Sequence, residues 1–211
     1  YNKAGAKVKE GLDSRLPFKY SIPYGEKVKS IKVLDSQTID NFEGNWREIQ
    51  YQEKKGYIFD GYFSKYPFSD GLDMEEFYKK LKELNLNISY DNQSTYRRGR
   101  KSLNSKIIFN DCSVNDAFWV FKNWVDSHYL DRFNHTSFIT FPKISGDLEI
   151  TINNPEKSKH IWIEDYKITF DDKLSPSSFI YSTRREGGGV SVRMKKLSEK
   201  KWELSKNIAA H

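Results

Sequence analysis

In Gly44-Asn45-Trp46-Arg47-Glu48-Ile49-Gln50-Tyr51 and, a few residues on, Lys54-Lys55-Gly56-Tyr57-Ile58-Phe59, Trp46 to Tyr51 and Tyr57 to Phe59 read as two short β-strands. Gly44-Asn45 is a turn signal ahead of the first, and Lys54-Lys55-Gly56 separates it from the second. Upstream, Glu26 to Leu34 alternates, with Val28, Ser30, Lys32 and Leu34 on one side and Lys27, Lys29, Ile31 and Val33 on the other. Residues 1–66 therefore predict short strands joined by tight turns, a pattern that suits a small closed or nearly closed barrel. Trp46 and Tyr57 fall where neighbouring strands would pair them across the sheet.

The period changes after Pro67-Phe68-Ser69-Asp70-Gly71, which reads as a linker. Asp73 with Glu76 forms a capping-box pattern, and Met74, Phe77, Leu81 and Leu84 recur at helical spacing, predicting a helix over about 73–85. Ser113 with Asp116 repeats the signal, followed by Val114, Ala117, Phe118, Phe121 and Val125, widened by Trp119 and Trp124. That stripe predicts a mostly buried helix over about 113–129. Asn92 to Ser105 reads as a polar loop, and Lys106 to Phe109 as a short buried strand. From Thr136 onward the alternation is that of antiparallel strands, with a bend expected at Glu164-Asp165 and a hairpin at Asp171-Asp172. The expectation is an α+β protein overall: a barrel in residues 1–66, then an α+β domain in residues 73–211 with two helices against an antiparallel meander.

Composition narrows the classes. No run approaches 18 apolar residues, so no membrane-spanning helix is expected. A single cysteine excludes an internal disulfide framework and a multi-cysteine zinc site. The +6 formal charge permits anionic partners. The densest basic cluster is Arg97, Arg98, Arg100 and Lys101 with Lys106 close behind; it reads as an ordinary exposed loop, and nucleic acid is not the expected partner.

Ile22-Pro23-Tyr24-Gly25-Glu26-Lys27-Val28, Gly44-Asn45-Trp46-Arg47-Glu48-Ile49 and Lys55-Gly56-Tyr57-Ile58-Phe59-Asp60-Gly61-Tyr62-Phe63, taken in order, resemble bacterial SH3 (SH3b) domains. The resemblance covers residues 1 to about 66. It lacks the family's usual opening motif, and Asp35 to Glu43 is longer than the usual connection. It implies an SH3-like barrel ending in a one-turn helix, and a recognition role toward peptidoglycan, its peptides or protein partners. It also implies an exported protein, periplasmic, envelope-associated or secreted; the opening at Tyr1 without Met fits a mature form whose leader was removed. Candidate groove residues under that resemblance are Tyr24, Trp46, Tyr57, Phe59 and Tyr62, whose rings offer area, with polar tips on the tyrosines and tryptophan. Residues 73–211 match no family recognised from the sequence.

An enzyme reading rests on Asn110-Asp111-Cys112-Ser113 at a helix start, where the dipole favours thiolate. This resembles cell-wall papain-like endopeptidases, which implies His160 as base and Asp171 or Asp172 as its orienting group. Val114 stands where that family has glycine, and the segment expected upstream is absent, so the favoured expectation is non-catalytic. His128 and His135 with Asp126 and Asp131 do not have metal-ligand spacing, and neither metal nor cofactor is expected. Gly187-Gly188-Gly189 lacks the context of a phosphate loop.

Overall fold

The computed structural model describes residues 6–23, 26, 28–97, 100–130, 147–153 and 161–210, with backbone alone for 94–97, 100–102, 130, 161–163 and 209–210. The chain divides into two compact units, Tyr1–Pro67 and Phe68–His211.

The first unit contains β1 (Ala6–Lys9), β2 (Phe18–Ile22), β3 (Lys29–Ile39), β4 (Phe42–Tyr51) and β5 (Lys54–Phe59), closed by a one-turn 3₁₀ helix, Asp60–Tyr62. They form one antiparallel sheet in the order β2-β1-β5-β4-β3. The turns fall elsewhere than Gly and Lys suggest. Asp40 and Asn41 both adopt positive φ, 50° and 66°, the two-residue arrangement whose twist matches paired strands. Gln52, at φ 54°, makes the next turn. Gly44 instead lies inside β4, because a Cβ there would stand 2.5 Å from the Gly61 backbone nitrogen. The segment Asp35 to Glu43 is thus mostly strand and hairpin. Trp46 pairs with Phe59, and Tyr57 with Glu48, so Trp46 and Tyr57 are diagonal neighbours on one face.

Strand alternation gives this sheet two apolar faces. Val8, Ile22, Ile49 and Ile58 form a buried cluster on one, flanked by Tyr20, Val28, Tyr51 and Phe63. Phe42, Trp46 and Phe59 lie on the other. The expected barrel closure is not found: β2 and β3 are the two edges, and no pairing joins them among the described residues. Closure requires an edge that can be covered, and β3 is exposed at nine of its eleven positions.

In the second unit, α1 (Met74–Glu83) and α2 (Val114–Val125) begin at Asp73 and Ser113, each with a complete reciprocal capping box. The strands are β6 (Ile88–Arg97), β7 (Arg100–Phe109), β8 (Glu149–Asn153), β9 (Ile161–Phe170), β10 (Pro176–Arg185), β11 (Gly188–Ser198) and β12 (Lys201–Ala210). They form an antiparallel sheet in the order β6-β7-β12-β11-β10-β9-β8. Phe118 and Phe121 of α2 lie over Phe179 of β10 at 5.7 and 5.9 Å, and Phe77 of α1 meets Trp124 at 5.5 Å. Every residue from Asp116 to Val125 is buried, so α2 is the core element of the unit.

The α+β expectation is corrected: among the described residues strands hold more than half and helices under a fifth, a largely β architecture of two antiparallel sheets. The physical reason is visible in Asn92 to Ser105. These residues read as loop because they are polar, yet residues 92–97 and 100–105 belong to β6 and β7, paired in unbroken register from Ile88↔Phe109 to Arg97↔Arg100. A ladder is held by backbone hydrogen bonds, which side-chain polarity does not reveal. Glu164 and Asp165 are likewise in regular register with Thr183 and Ser182, without the expected bend.

Candidate functional site

The aromatic face of the first unit is built from local rules. Phe42 and Trp46 share a face of β4 because they are an even number of residues apart, and Phe59 joins them as the direct cross-strand partner of Trp46. The 3₁₀ turn then folds Tyr62 back over them. Ring centroids are 6.0 Å apart for Trp46–Phe59, 5.2 Å for Phe59–Tyr62 and 5.5 Å for Phe42–Tyr62, the last two edge-on. Edge-on contact puts the positive rim of one ring on the negative face of the next.

Polar tips of the cluster are tied to the β3–β4 hairpin. The Trp46 indole N–H donates to Gln37 Oε1 at 2.7 Å, and the Tyr62 hydroxyl donates to Asp40 Oδ2 at 2.6 Å. Desolvation, then the Asp40 bond, raises the Tyr62 pKa well above the ordinary phenol value, so this hydroxyl stays a donor. Asp60 secures the turn that carries Tyr62: its carboxylate accepts the Asn45 backbone N–H at 2.7 Å and Arg47 Nε–H at 2.5 Å. Trp46 and Phe59 are buried, Tyr57 is half-buried, and Tyr62 presents an exposed ring, 38 % accessible.

Of the groove residues read from sequence, the structure therefore assembles Trp46, Phe59 and Tyr62 and leaves Tyr57 beside them on the same face. Tyr24 lies outside the described residues. Trp46 and Phe59 serve as the floor, and Tyr62 is the ring that a ligand could reach. Sequence reasoning missed Phe42, Gln37, Asp40 and the Arg47–Asp60 pair. The Asp40-Asn41 dipeptide, both residues tolerant of left-handed backbone, was the available signal for the hairpin that brings them in.

The alternative nucleophile fares differently. Cys112 has no exposed surface; its backbone N–H donates to the Lys200 carbonyl at 2.8 Å, which ties the start of α2 to the β11–β12 turn. His160 lies outside the described residues. Asp171 organises a hairpin turn by accepting the backbone N–H groups of Lys173 and Ser175 at 3.1 and 3.0 Å and the Lys196 ammonium at 3.2 Å. Desolvation pushes its pKa up, but these donors together outweigh that and leave it below the usual carboxylate value. That is a structural carboxylate.

Among the basic residues, Lys106 pairs with Asp91 across the hairpin at 3.4 Å; the side chains of Arg97, Arg98, Arg100 and Lys101 lie outside the described set. Glu186 and Gly187, the latter at φ 80°, make the β10–β11 turn, and Gly188 opens β11 paired with Arg185. No group of three or more His, Cys, Asp or Glu suited to a metal occurs among the described residues; His135 and Asp131 are not among them. No described helix is long and apolar enough to cross a membrane.

Among the described residues of the second unit, Glu164 and Tyr181 form a buried polar pair. Glu164, on the core face of β9, accepts the Tyr181 hydroxyl at 2.5 Å. Desolvation first and the Glu164 contact second drive the Tyr181 pKa far above that of a free phenol. Tyr129, on the π-helical turn Asp126–Leu130 that extends α2, has its ring centroid 5.4 Å from that of Tyr181, the two planes tilted by 32°.

Comparison with known proteins adds no identity: no protein-family model matches the chain, and neither a curated protein nor a solved structure does.

Proposed function

We propose that this chain is a non-catalytic recognition protein, exported to the bacterial envelope or beyond it, whose first unit binds peptidoglycan or a peptide or protein ligand. The observation that carries the reading is Tyr62: an exposed ring backed by Phe42 and Phe59 and fixed through Asp40 at the end of β3, an edge strand among the described residues. A rigid ring with a polar tip gives contact area at low entropic cost. An edge strand such as β3, with no further strand paired to it among the described residues, is the kind of element to which an extended ligand adds. The resemblance of residues 1–66 to SH3b domains supports the same class of ligand. The inaccessibility of Cys112 removes support from the endopeptidase alternative.

The test is a pull-down with purified peptidoglycan, followed by titration with soluble muropeptides. Wild-type protein should bind above a control protein of equal charge, and Tyr62→Ala should weaken binding about tenfold or more, as loss of an anchoring aromatic does. Equal retention of protein and charge control would exclude the wall as ligand. Unchanged affinity in Tyr62→Ala would remove the site.

A further inference from the structure

The register of the first sheet sorts its charges between the two faces. Lys32, Glu48, Tyr57, Lys9 and Phe18 are consecutive cross-strand partners, one from each strand. Directly opposite residues share a face. Trp46 and Phe59 stand two residues from Glu48 and Tyr57, so this row lies on the aromatic face described above. In the neighbouring row Lys29 and Lys55 flank Gln50, and Lys7 stands two residues from Lys9 along β1. Among the paired positions of this face the lysines meet a single carboxylate, Glu48.

Most of that positive charge is unused by the fold. Lys29, Lys32 and Lys55 are exposed and have neither hydrogen bond nor ion pair among the described residues. Glu48 is in the same position, although Lys32 stands directly opposite it. Lys9 is held in place: its ammonium donates to the Ser14 carbonyl at 3.0 Å and to that of Leu16, and it keeps its charge beside the row. Neighbouring strands lie about 4.8 Å apart, so Lys29 and Lys55 are separated by about 10 Å and Lys32 and Lys9 by about 14 Å along the backbone plane. The result is a cationic strip running across the strands beside Tyr62.

The kind of cation narrows the partner. Arg15 and Arg47, the arginines of the first unit, are each committed to a carboxylate, Asp13 at 2.8 Å and Asp60 at 2.5 Å. The strip is made of lysine alone. Lysine acts as a point charge suited to phosphate, whereas the arginine fork is the group matched to carboxylates. Phe18, the exposed ring of the row, already has the Lys7 ammonium over it at 5.2 Å from the centroid. That ring is therefore not an open platform for stacking a nucleic-acid base.

We propose that this face holds an anionic phosphodiester polymer of the bacterial wall, with its phosphates against Lys29, Lys32 and Lys55 and its chain crossing Tyr57 toward Phe18. The inference rests on the envelope reading given above and adds a charged ligand to the ring contact at Tyr62. Glu48, inside the strip, opposes the binding.

The experiment titrates the full chain with soluble poly(glycerol phosphate) over a range of salt. Log affinity should fall linearly with log salt, and the Lys29→Gln, Lys32→Gln, Lys55→Gln triple variant should bind about tenfold or more weakly, with a shallower slope. A control triple, Lys82→Gln, Lys195→Gln, Lys200→Gln, removes the same charge at exposed positions of the second unit and should leave affinity unchanged. Glu48→Gln should tighten binding about two- to fivefold, a direction that no loss of fold produces. Equal weakening by the two triples overturns the proposal, as does unchanged or weaker binding by Glu48→Gln. A single-stranded oligonucleotide of equal charge bound as tightly as the polymer also overturns it. Peptidoglycan stripped of phosphodiester polymers with hydrofluoric acid separates the two readings. Binding to it that Tyr62→Ala abolishes, without binding to poly(glycerol phosphate), overturns this inference alone.

Discussion

Gly56→Ala should destabilise the first unit, and truncation of one other side chain should reverse much of the loss. Gly56 lies in β5 with ordinary backbone, since it is absent from the positive-φ glycines. Alanine there would on entropic grounds stabilise by about 0.4–1 kcal/mol. The contact decides otherwise: a Cβ at Gly56 would stand 2.3 Å from Val8 Cγ1 and 3.1 Å from the Lys9 carbonyl oxygen. Val8 has no exposed surface and is packed among Ile22, Ile49 and Ile58, so it has nowhere to withdraw. Overpacking of that kind costs about 1–3 kcal/mol. In a unit of this size each kcal/mol lowers the midpoint by about 4–8 °C. Val8→Ala alone should lose on the order of 1–2 kcal/mol, from about 0.8 kcal/mol per buried methylene-sized group plus a residual cavity. Combined, the two changes share one space: the new methyl occupies what the valine vacates, and the double variant should be at least about 1 kcal/mol more stable than the sum of the singles predicts. The assay is hydrogen exchange by mass spectrometry on the full chain, reading peptides within residues 42–59 so that the second unit does not contribute. Penalties that add within about 0.5 kcal/mol, or a Gly56→Ala variant as stable as wild type, would refute the packing argument.

In the second unit, Tyr181→Phe removes the donor to buried Glu164 and should cost about 1–3 kcal/mol, read by urea denaturation; a neutral outcome would show that the pair contributes nothing to the fold. Cys112 should resist thiol reagents in the native state, labelling only as fast as the second unit opens; stoichiometric labelling within seconds would contradict its burial. Asp171 has a lowered pKa in the fold, so its contribution is present above about pH 3.9, the unfolded value, and fades as pH falls through the lower folded value. Asp171→Asn should accordingly be less stable than wild type at pH 6 and approach it in melts below pH 4; a constant gap from pH 6 to pH 2 would mean the charge is irrelevant.

Much was legible where side chains alone set local structure. Asp73 with Glu76 and Ser113 with Asp116 marked both helix starts, because a capping box uses groups three residues apart and needs no distant partner. Buried β9 to β12 were legible from alternation, since one face of that sheet packs on α2. The β6–β7 hairpin was not, because its polar residues resemble a loop; only the backbone ladder distinguishes the two. The candidate site divides the same way. Trp46, Phe59 and Tyr62 were named through the resemblance to SH3b domains. Phe42, Gln37 and Asp40 were not, because their part depends on a hairpin turn formed by two residues other than glycine.

Local sequence thus settled the two capped helices, the apolar core stripe of α2 and the change of character after residue 67, all of which depend on groups within one or two turns of each other. Tertiary structure alone decided that the first sheet stays open, that Cys112 is enclosed, and that His128 reaches a carbonyl 56 residues away. Each of these depends on which surfaces meet across long stretches of chain, and spacing along the sequence carries no record of distance in space.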